Sequence, residues 1–316
     1  MSLTQELKDS TSRAYRFLHG HAPILADAGT RGAAGRNAAA ALHFDRLKSH
    51  DVVVSVPPSV TSLTSHSTLI GTAFDYRARM MLDVLYPRDT VAYRGLSIFC
   101  SSCPHTEGGN KLAKELTRTF QEAEYLYASN DPVGRDTAAI IFAWCESMRR
   151  NAIPTVMESR FGHQFVEVVN SGGNLIDVID PVQLSDLQAL RIDAEEQISE
   201  WRKRIVSGAP YEPNPIFSGS GCVGGADADW IIDDTLIDCK TTKNLTNSWI
   251  RKALFQLLGY SLLDFTDYFE IRNIGLWLPR FRAFQVWNIY DILDISSKRE
   301  LQKVRREFEK ALTSDT

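Results

Sequence analysis

No stretch of the 316 residues approaches the 18 or so consecutive apolar residues needed to cross a bilayer. The opening MSLTQELKDS also lacks the basic-then-apolar pattern of a secretory leader, so a cytoplasmic protein without membrane contact is expected. The five cysteines, at 100, 103, 145, 222 and 239, are too few and too scattered for a disulfide framework. Cys100-Ser-Ser-Cys103-Pro-His105 has the spacing of half a zinc site, but no second pair follows it. No Gly-rich Lys-Ser/Thr phosphate loop is present, so any ATP-driven step would need a separate subunit. Positive charge is not in excess either. The net charge is −4, which argues against non-specific coating of nucleic acid, because affinity for phosphate comes from Lys and Arg. Basic residues are instead grouped, as in Arg149-Arg150, Arg202-Lys203-Arg204 and Lys303-Val304-Arg305-Arg306, clusters that suit a solvated helix face as well as a phosphate contact.

Chemically demanding residues concentrate between 224 and 260, GGADADWIIDDTLIDCKTTKNLTNSWIRKALFQLLGY. Two short apolar runs, Trp230 to Ile232 and Thr235 to Ile237, flank Asp233-Asp234 and predict two strands joined by a tight turn. Side chains alternate along a strand, so Asp238 and Lys240 share one face and Ile237 and Cys239 the other. Asp227, Asp229 and Ile231 likewise share a face of the first strand, and pairing the strands can bring Asp229 near Asp238. Two carboxylates about 4 Å apart repel by roughly 4 kcal/mol at an effective dielectric near 20, so such a pair must hold a proton or a cation. Hard oxygen ligands without clustered His or Cys suit Mg²⁺, or Mn²⁺, better than zinc. A cation there, with a lysine beside it, is the equipment of phosphodiester hydrolysis.

These residues resemble the PD-(D/E)XK nuclease superfamily, whose core carries an Asp on one strand and Asp/Glu-x-Lys on the next. Asp229 and Asp238-Cys239-Lys240 match that pattern, with Asp227 the alternative for the first position. Gln256-Leu-Leu-Gly-Tyr260 on the following helix resembles the Gln-xxx-Tyr motif of the RecB-like branch. Gly71-Thr72-Ala73-Phe74-Asp75 resembles that branch's first helical motif, with Asp where the family has His or Glu, a residue of shorter reach. The resemblance implies an α/β restriction-endonuclease-like fold: a mixed central sheet flanked by helices, with a large helical insertion. It implies a Mg²⁺-dependent deoxyribonuclease of repair, DNA processing or defence against foreign DNA. Asp229, Asp238, the Cys239 carbonyl and Asp75 would hold the metal, Lys240 would orient the attacking water, and Gln256 and Tyr260 would shape the site. A catalytically inactive nucleic-acid-binding or scaffold subunit is the alternative.

The remaining chain is read around this core. Residues 1–56 are expected to be a variable N-terminal extension, 57–295 the nuclease domain and 296–316 a C-terminal helix. A helix is predicted from Leu69 to Tyr86, where Leu69, Ala73, Tyr76, Met80 and Val84 recur at helical spacing; Asp75 stands one turn from Arg79, so a plain ion pair is the competing reading. Segments between about 105 and 205 have helical periodicity and form the expected insertion, a wall of a DNA channel or a surface for a protein partner. His163 and Glu167 sit one turn apart there, as a surface pair or as an extension of the metal site. Asn247-Ser248 is expected to cap a helix from Trp249 to Leu263 whose Lys252, Gln256 and Tyr260 form a stripe facing the acids. Ile274 to Leu278 and Ala283 to Trp287 read as two further strands, and Leu301, Val304, Phe308 and Leu312 as the buried side of the last helix.

Overall fold

A computed structural model describes residues 2–58, 60, 63–225 and 228–314, the side chains at 63 and 64 excepted. In chain order it contains five short N-terminal helices, α1 (Leu3–Glu6), α2 (Arg13–His21), α3 (Pro23–Asp27), α4 (Ala33–Ala41) and α5 (Phe44–Lys48). Seven more follow: α6 (Leu63–Leu82), α7 (Val91–Ser102), α8 (Glu107–Ala128), α9 (Pro132–Arg150), α10 (Ile153–Met157), α11 (Arg160–Ser171) and α12 (Pro181–Val206). Strands β1 (Tyr211–Pro213), β2 (Trp230–Ile232) and β3 (Thr235–Cys239) lead to α13 (Asn247–Leu262). After β4 (Asn273–Leu278) and β5 (Ala283–Asn288) come α14 (Ile289–Leu293) and α15 (Lys298–Thr313). The class is α/β, with a five-stranded mixed sheet in the order β1-β2-β3-β4-β5. Only β3 and β4 pair in parallel, and α13 lies in the connection between them, as a parallel crossover requires.

The chain forms two compact units, residues 1–53 with 203–316, and residues 54–202. The first carries the sheet. Its N-terminal helices, expected to be a variable extension, belong to its core: Leu3, Leu18, Leu25, Phe44 and Leu47 are buried in one cluster with Leu236, Leu254, Leu258, Ile274, Leu276 and Trp287. The C-terminal helix joins the same cluster through Leu301, Val304 and Phe308. Each of these elements exposes too little apolar surface to be stable alone, and the open face of the sheet supplies the rest.

Local chemistry sets the boundaries. The hairpin turns on Asp233, whose φ is +54°, a left-handed conformation that Asp tolerates and a tight two-residue turn demands. Thr246, rather than Asn247 or Ser248, caps α13, its hydroxyl accepting from the Trp249 amide at 3.1 Å. The helix begins one turn before Trp249 reaches its register, so the cap falls upstream of both expected residues. Helix α6 ends at Leu82, short of the expected Tyr86, because the Asp83 carboxylate accepts the Val84 amide at 2.7 Å and draws it out of the helical ladder.

Among the described residues of the second unit, every regular element is a helix. Helix α9 is its most buried element, with Ile140, Ile141, Phe142 and Trp144 in the interior. Charges are buried there in pairs. Asp136 accepts from Arg77 at 2.8 Å and from Arg191 at 3.0 Å, and Glu146 accepts from Tyr76 at 2.6 Å. Burial pushes the Asp136 carboxyl up while the two guanidinium groups pull it down, leaving it above its ordinary value. Such an arrangement holds only while both partners are present, because a single buried charge left behind is strongly destabilising. Trp144 and Trp201 are core residues, and His163 and Glu167 lie on the exposed side of α11.

In the sheet unit, Asp267 ties the approach to β4 to α15. Arg272 grips it with two hydrogen bonds of 2.6 and 2.7 Å, the fully buried Arg305 of α15 pairs with it, and Lys298 lies 3.3 Å away. Burial alone would raise the Asp267 carboxyl, but the bonds from Arg272 and Arg305 outweigh it and hold the group at about 2. A depressed carboxyl contributes stability that is complete above its unfolded value of 3.8 and is lost as pH falls through about 2. The shift corresponds to something on the order of 2 kcal/mol. Asp267→Asn, which keeps the left-handed backbone, is therefore expected to lower unfolding free energy at pH 7 by about 2 kcal/mol in urea denaturation, with the gap to wild type narrowing below pH 3. A gap that stays constant between pH 5 and pH 2 would show that the ion cluster is not its source.

Candidate active site

The site grows out of the β2–β3 hairpin. Trp230 pairs with Ile237 and Ile232 with Thr235, so one further step places Asp229 beside Asp238. The Asp229 carboxylate accepts the Cys239 amide at 2.6 Å, which fixes it against the end of β3. Asp238 is 2% exposed, and its Oδ1 accepts from the Lys240 ammonium at 2.7 Å. The two side chains share a face, as alternation along the strand requires. The other carboxylate oxygen of Asp238 is buried and has no hydrogen-bond donor.

Three successive backbone positions at the end of this strand are held. The Cys239 amide goes to Asp229, the Lys240 amide donates to the Trp277 carbonyl at 2.9 Å, and the Thr241 carbonyl accepts from the buried Arg280 Nε at 2.8 Å. A site built on a tethered strand end keeps its groups in place without help from a ligand.

Electrostatics follow from this burial. Burial pushes the Asp238 carboxyl up, Lys240 pulls it back and Asp229 pushes it further, for a value of about 6. Burial would lower the Lys240 ammonium, but the charges of Asp238 and Asp229 more than reverse that and keep it above its ordinary value. Lys240 is therefore a fixed cation at neutral pH and not a base. A raised carboxyl stabilises the fold below its unfolded value of 3.8 and that contribution is lost as pH rises through about 6, so the metal-free fold carries a penalty at neutral pH that a bound cation would relieve.

Helix α13 supplies the second wall. Tyr260, 5% exposed, is shifted upward first by burial and also by the charge of Asp238, and so stays a neutral phenol. Gln256 reaches the acids only through it. Both of its amide donors are used, one on the Tyr260 hydroxyl at 3.0 Å and one on the Thr4 hydroxyl at 2.7 Å. The expected stripe is thus shorter than its spacing suggests, since Lys252 at its far end is exposed. Phe217, from the irregular loop before the hairpin, stacks on Tyr260 with ring centres 6.3 Å apart.

Two contributors escaped the sequence reading. Thr4 lies 252 residues from Gln256 on a four-residue helix with no motif to mark it. Arg280 stood in a Pro-Arg-Phe turn that pointed only to chain reversal. A faint signal for the first existed in Gly259, between Gln256 and Tyr260: a Cβ there would lie 2.8 Å from Leu3 Cδ2, so the glycine is what lets α1 approach α13.

Among the expected metal ligands, Asp229 and Asp238 come together. Asp227 lies outside the described residues. Asp75 belongs to α6 of the helical unit and is ion-paired with Arg79 one turn on, so its place as a ligand rests on the resemblance alone. Among the described residues no three His, Cys, Asp or Glu side chains are grouped to hold a metal. The donor set fits a hard cation all the same: two carboxylates, one with an oxygen lacking a donor, next to backbone carbonyls, in the manner of Mg²⁺ sites that retain several waters. Comparison with protein families, curated proteins and solved structures finds no match.

Two outcomes are expected. Mn²⁺ at about 100 times its Kd should raise the unfolding free energy by about 2.7 kcal/mol, and Asp238→Asn should abolish the effect. Apparent affinity should fall about tenfold per pH unit below about 6, because Asp238 must first give up its proton. An equal cation effect in wild type and Asp238→Asn would place the binding elsewhere. Separately, Gly259→Val should displace Leu3, speed amide exchange over residues 3–6 and cost about 1 kcal/mol, the low end for overpacking. Unaltered exchange there would disprove the seating of α1 on α13.

Proposed function

We propose that the protein is a metal-dependent phosphodiester hydrolase acting on DNA, with its site on a restriction-endonuclease-like core. The observation that carries this reading is the convergence of Asp229, Asp238 and Lys240 at one strand end, with a buried carboxylate oxygen left without a donor. Most buried polar atoms are hydrogen-bonded; a buried carboxylate oxygen held without a donor is suited to a ligand.

Asp229 and Asp238, with the Cys239 carbonyl, would hold Mg²⁺ or Mn²⁺. When bound, such an ion lowers the pKa of a water and stabilises charge on phosphoryl oxygens. Every other part is the chain's own. Lys240, protonated throughout the neutral range, would orient the attacking water, whose proton passes to solvent as its oxygen bonds to phosphorus, and would offset negative charge as the P–O bond to the leaving oxygen breaks and that oxygen takes a proton from solvent. Tyr260, fixed by Gln256 and through it by Thr4, stands as a neutral donor beside the acids. Arg280 acts through the backbone, keeping Thr241 and hence Lys240 in register.

The second reading, a nucleic-acid-binding or scaffold subunit without activity, draws on one observation: only two side-chain ligands are grouped among the described residues. The readings separate in a single assay. With linear and circular DNA and Mn²⁺ or Mg²⁺, the purified chain is expected to cleave, EDTA to stop it, and Lys240→Ala and Asp238→Asn each to lose about 100–1,000-fold, the scale set by removal of one charge-stabilising group, with melting temperature little changed. Undiminished cleavage by Lys240→Ala overturns the assignment, and binding without cleavage by wild type leaves the scaffold reading.

A further inference from the structure

A cleft of about 320 Å³ opens where α5 lies along β5, lined by His43, Arg46, His50, Phe284, Gln285 and Trp287. Its size is at the lower end of the roughly 300–1,000 Å³ of small-molecule sites. Strand β5 is the last of the sheet, so the cleft runs along an edge. Three features make it more than a surface groove. Arg46, His43 and His50 are exposed, and among the described residues their side chains have no hydrogen bond or ion pair, although Asp45 is nearby and is taken by Lys48 at 3.0 Å. Gln285 donates to the Leu42 carbonyl at 3.3 Å but its Oε1 is a buried acceptor without a donor. Trp287, its indole also bonded to the Leu42 carbonyl at 2.7 Å, closes the floor together with Phe284.

A guanidinium without a partner, two imidazoles able to donate hydrogen bonds, an aromatic wall and an acceptor awaiting an N–H donor are together the complement of a nucleotide: phosphate on the first two, base on the others. The register gives the cleft a relation to the acids. Asp238 pairs with Leu276 and Leu276 with Gln285, which puts the cleft two strand spacings, about 10 Å, from Asp238; Leu276 between them is buried, so the two places are joined over the surface and not along that row.

The geometry points to a second contact for nucleic acid: the α5–β5 cleft binds an unpaired nucleotide of the strand whose phosphodiester lies at Asp238 and Lys240. The identity of the ligand as the substrate strand rests on the hydrolase reading; the cleft's affinity for single-stranded nucleic acid does not. The chain's net charge of −4 makes such local cations necessary for holding a polyanion.

The test is fluorescence anisotropy of a labelled ten-residue oligodeoxyadenylate in EDTA, which silences cleavage. Wild type is expected to bind. Arg46→Glu should weaken binding at least tenfold and reduce the dependence on log salt by about one. The double variant His43→Asn, His50→Gln, in which Asn retains the left-handed backbone of position 43 (φ +56°), should weaken it severalfold, and Arg36→Glu should leave it within twofold. Wild-type affinity in Arg46→Glu and in the double variant, or no binding by wild type, overturns the proposal. Cleavage with Mn²⁺ is read separately: a cleaving enzyme indifferent to Arg46→Glu sinks the cleft alone, whereas Arg46-dependent binding by a chain that never cleaves sinks the hydrolase reading and spares the cleft.

Discussion

Trp230 faces Ile237 across an antiparallel pair, and from that register nearly everything at the site follows. One residue beyond it, a carboxylate on each strand arrives at the same end of the hairpin, and the Cys239 amide is left pointing at Asp229 rather than at a neighbouring carbonyl. A slip of one residue would send Asp238 and Lys240 to the opposite face. The two-residue turn at Asp233 and Asp234 opposes it, with Asp233 in the left-handed conformation that such hairpin turns use. Parallel pairing with β4 then ties the strand end from its other side.

The same geometry explains an electrostatic tension. Asp238 lies on the face that packs under α13, and burial there penalises its charge; Lys240 compensates in part, and Asp229 works against it. A core built only for stability would place an apolar residue at this position, since replacing buried ion pairs by packed hydrophobic groups is often neutral or favourable. Two acids and a lysine at a point so well held therefore cost stability in this fold unless something offsets their charge.

The N-terminal helices show why parts of the molecule were hidden in the sequence. Alternation, turn residues and helical spacing are local signals, and they placed β2, β3, α13, β4 and β5 close to where they stand. The Gly- and Ala-rich segment around residues 28–41 carries no such signal. Its role comes from long-range packing: Ala28, Ala38 and Ala39 are buried in one cluster with Leu254 and Trp287, and the adjoining Leu42 offers its carbonyl to Trp287. What read as an appendage to a domain beginning near residue 57 is the first part of a unit completed only after residue 203.

By itself the sequence determined the chemical inventory, Asp229, Asp238, Lys240 and the Gln256–Tyr260 pair, along with the faces they occupy, because strand and helix periodicities are properties of the backbone. Tertiary structure decided what each group touches. It spent both Gln256 donors on Thr4 and Tyr260, put Arg280 behind Thr241, bound Asp75 to Arg79 and left one oxygen of Asp238 without a donor. Apart from the Asp75–Arg79 and Gln256–Tyr260 pairs, which stand one helical turn apart, those outcomes depend on which side chains from distant parts of the chain fill the same space, and no local pattern of residues encodes them.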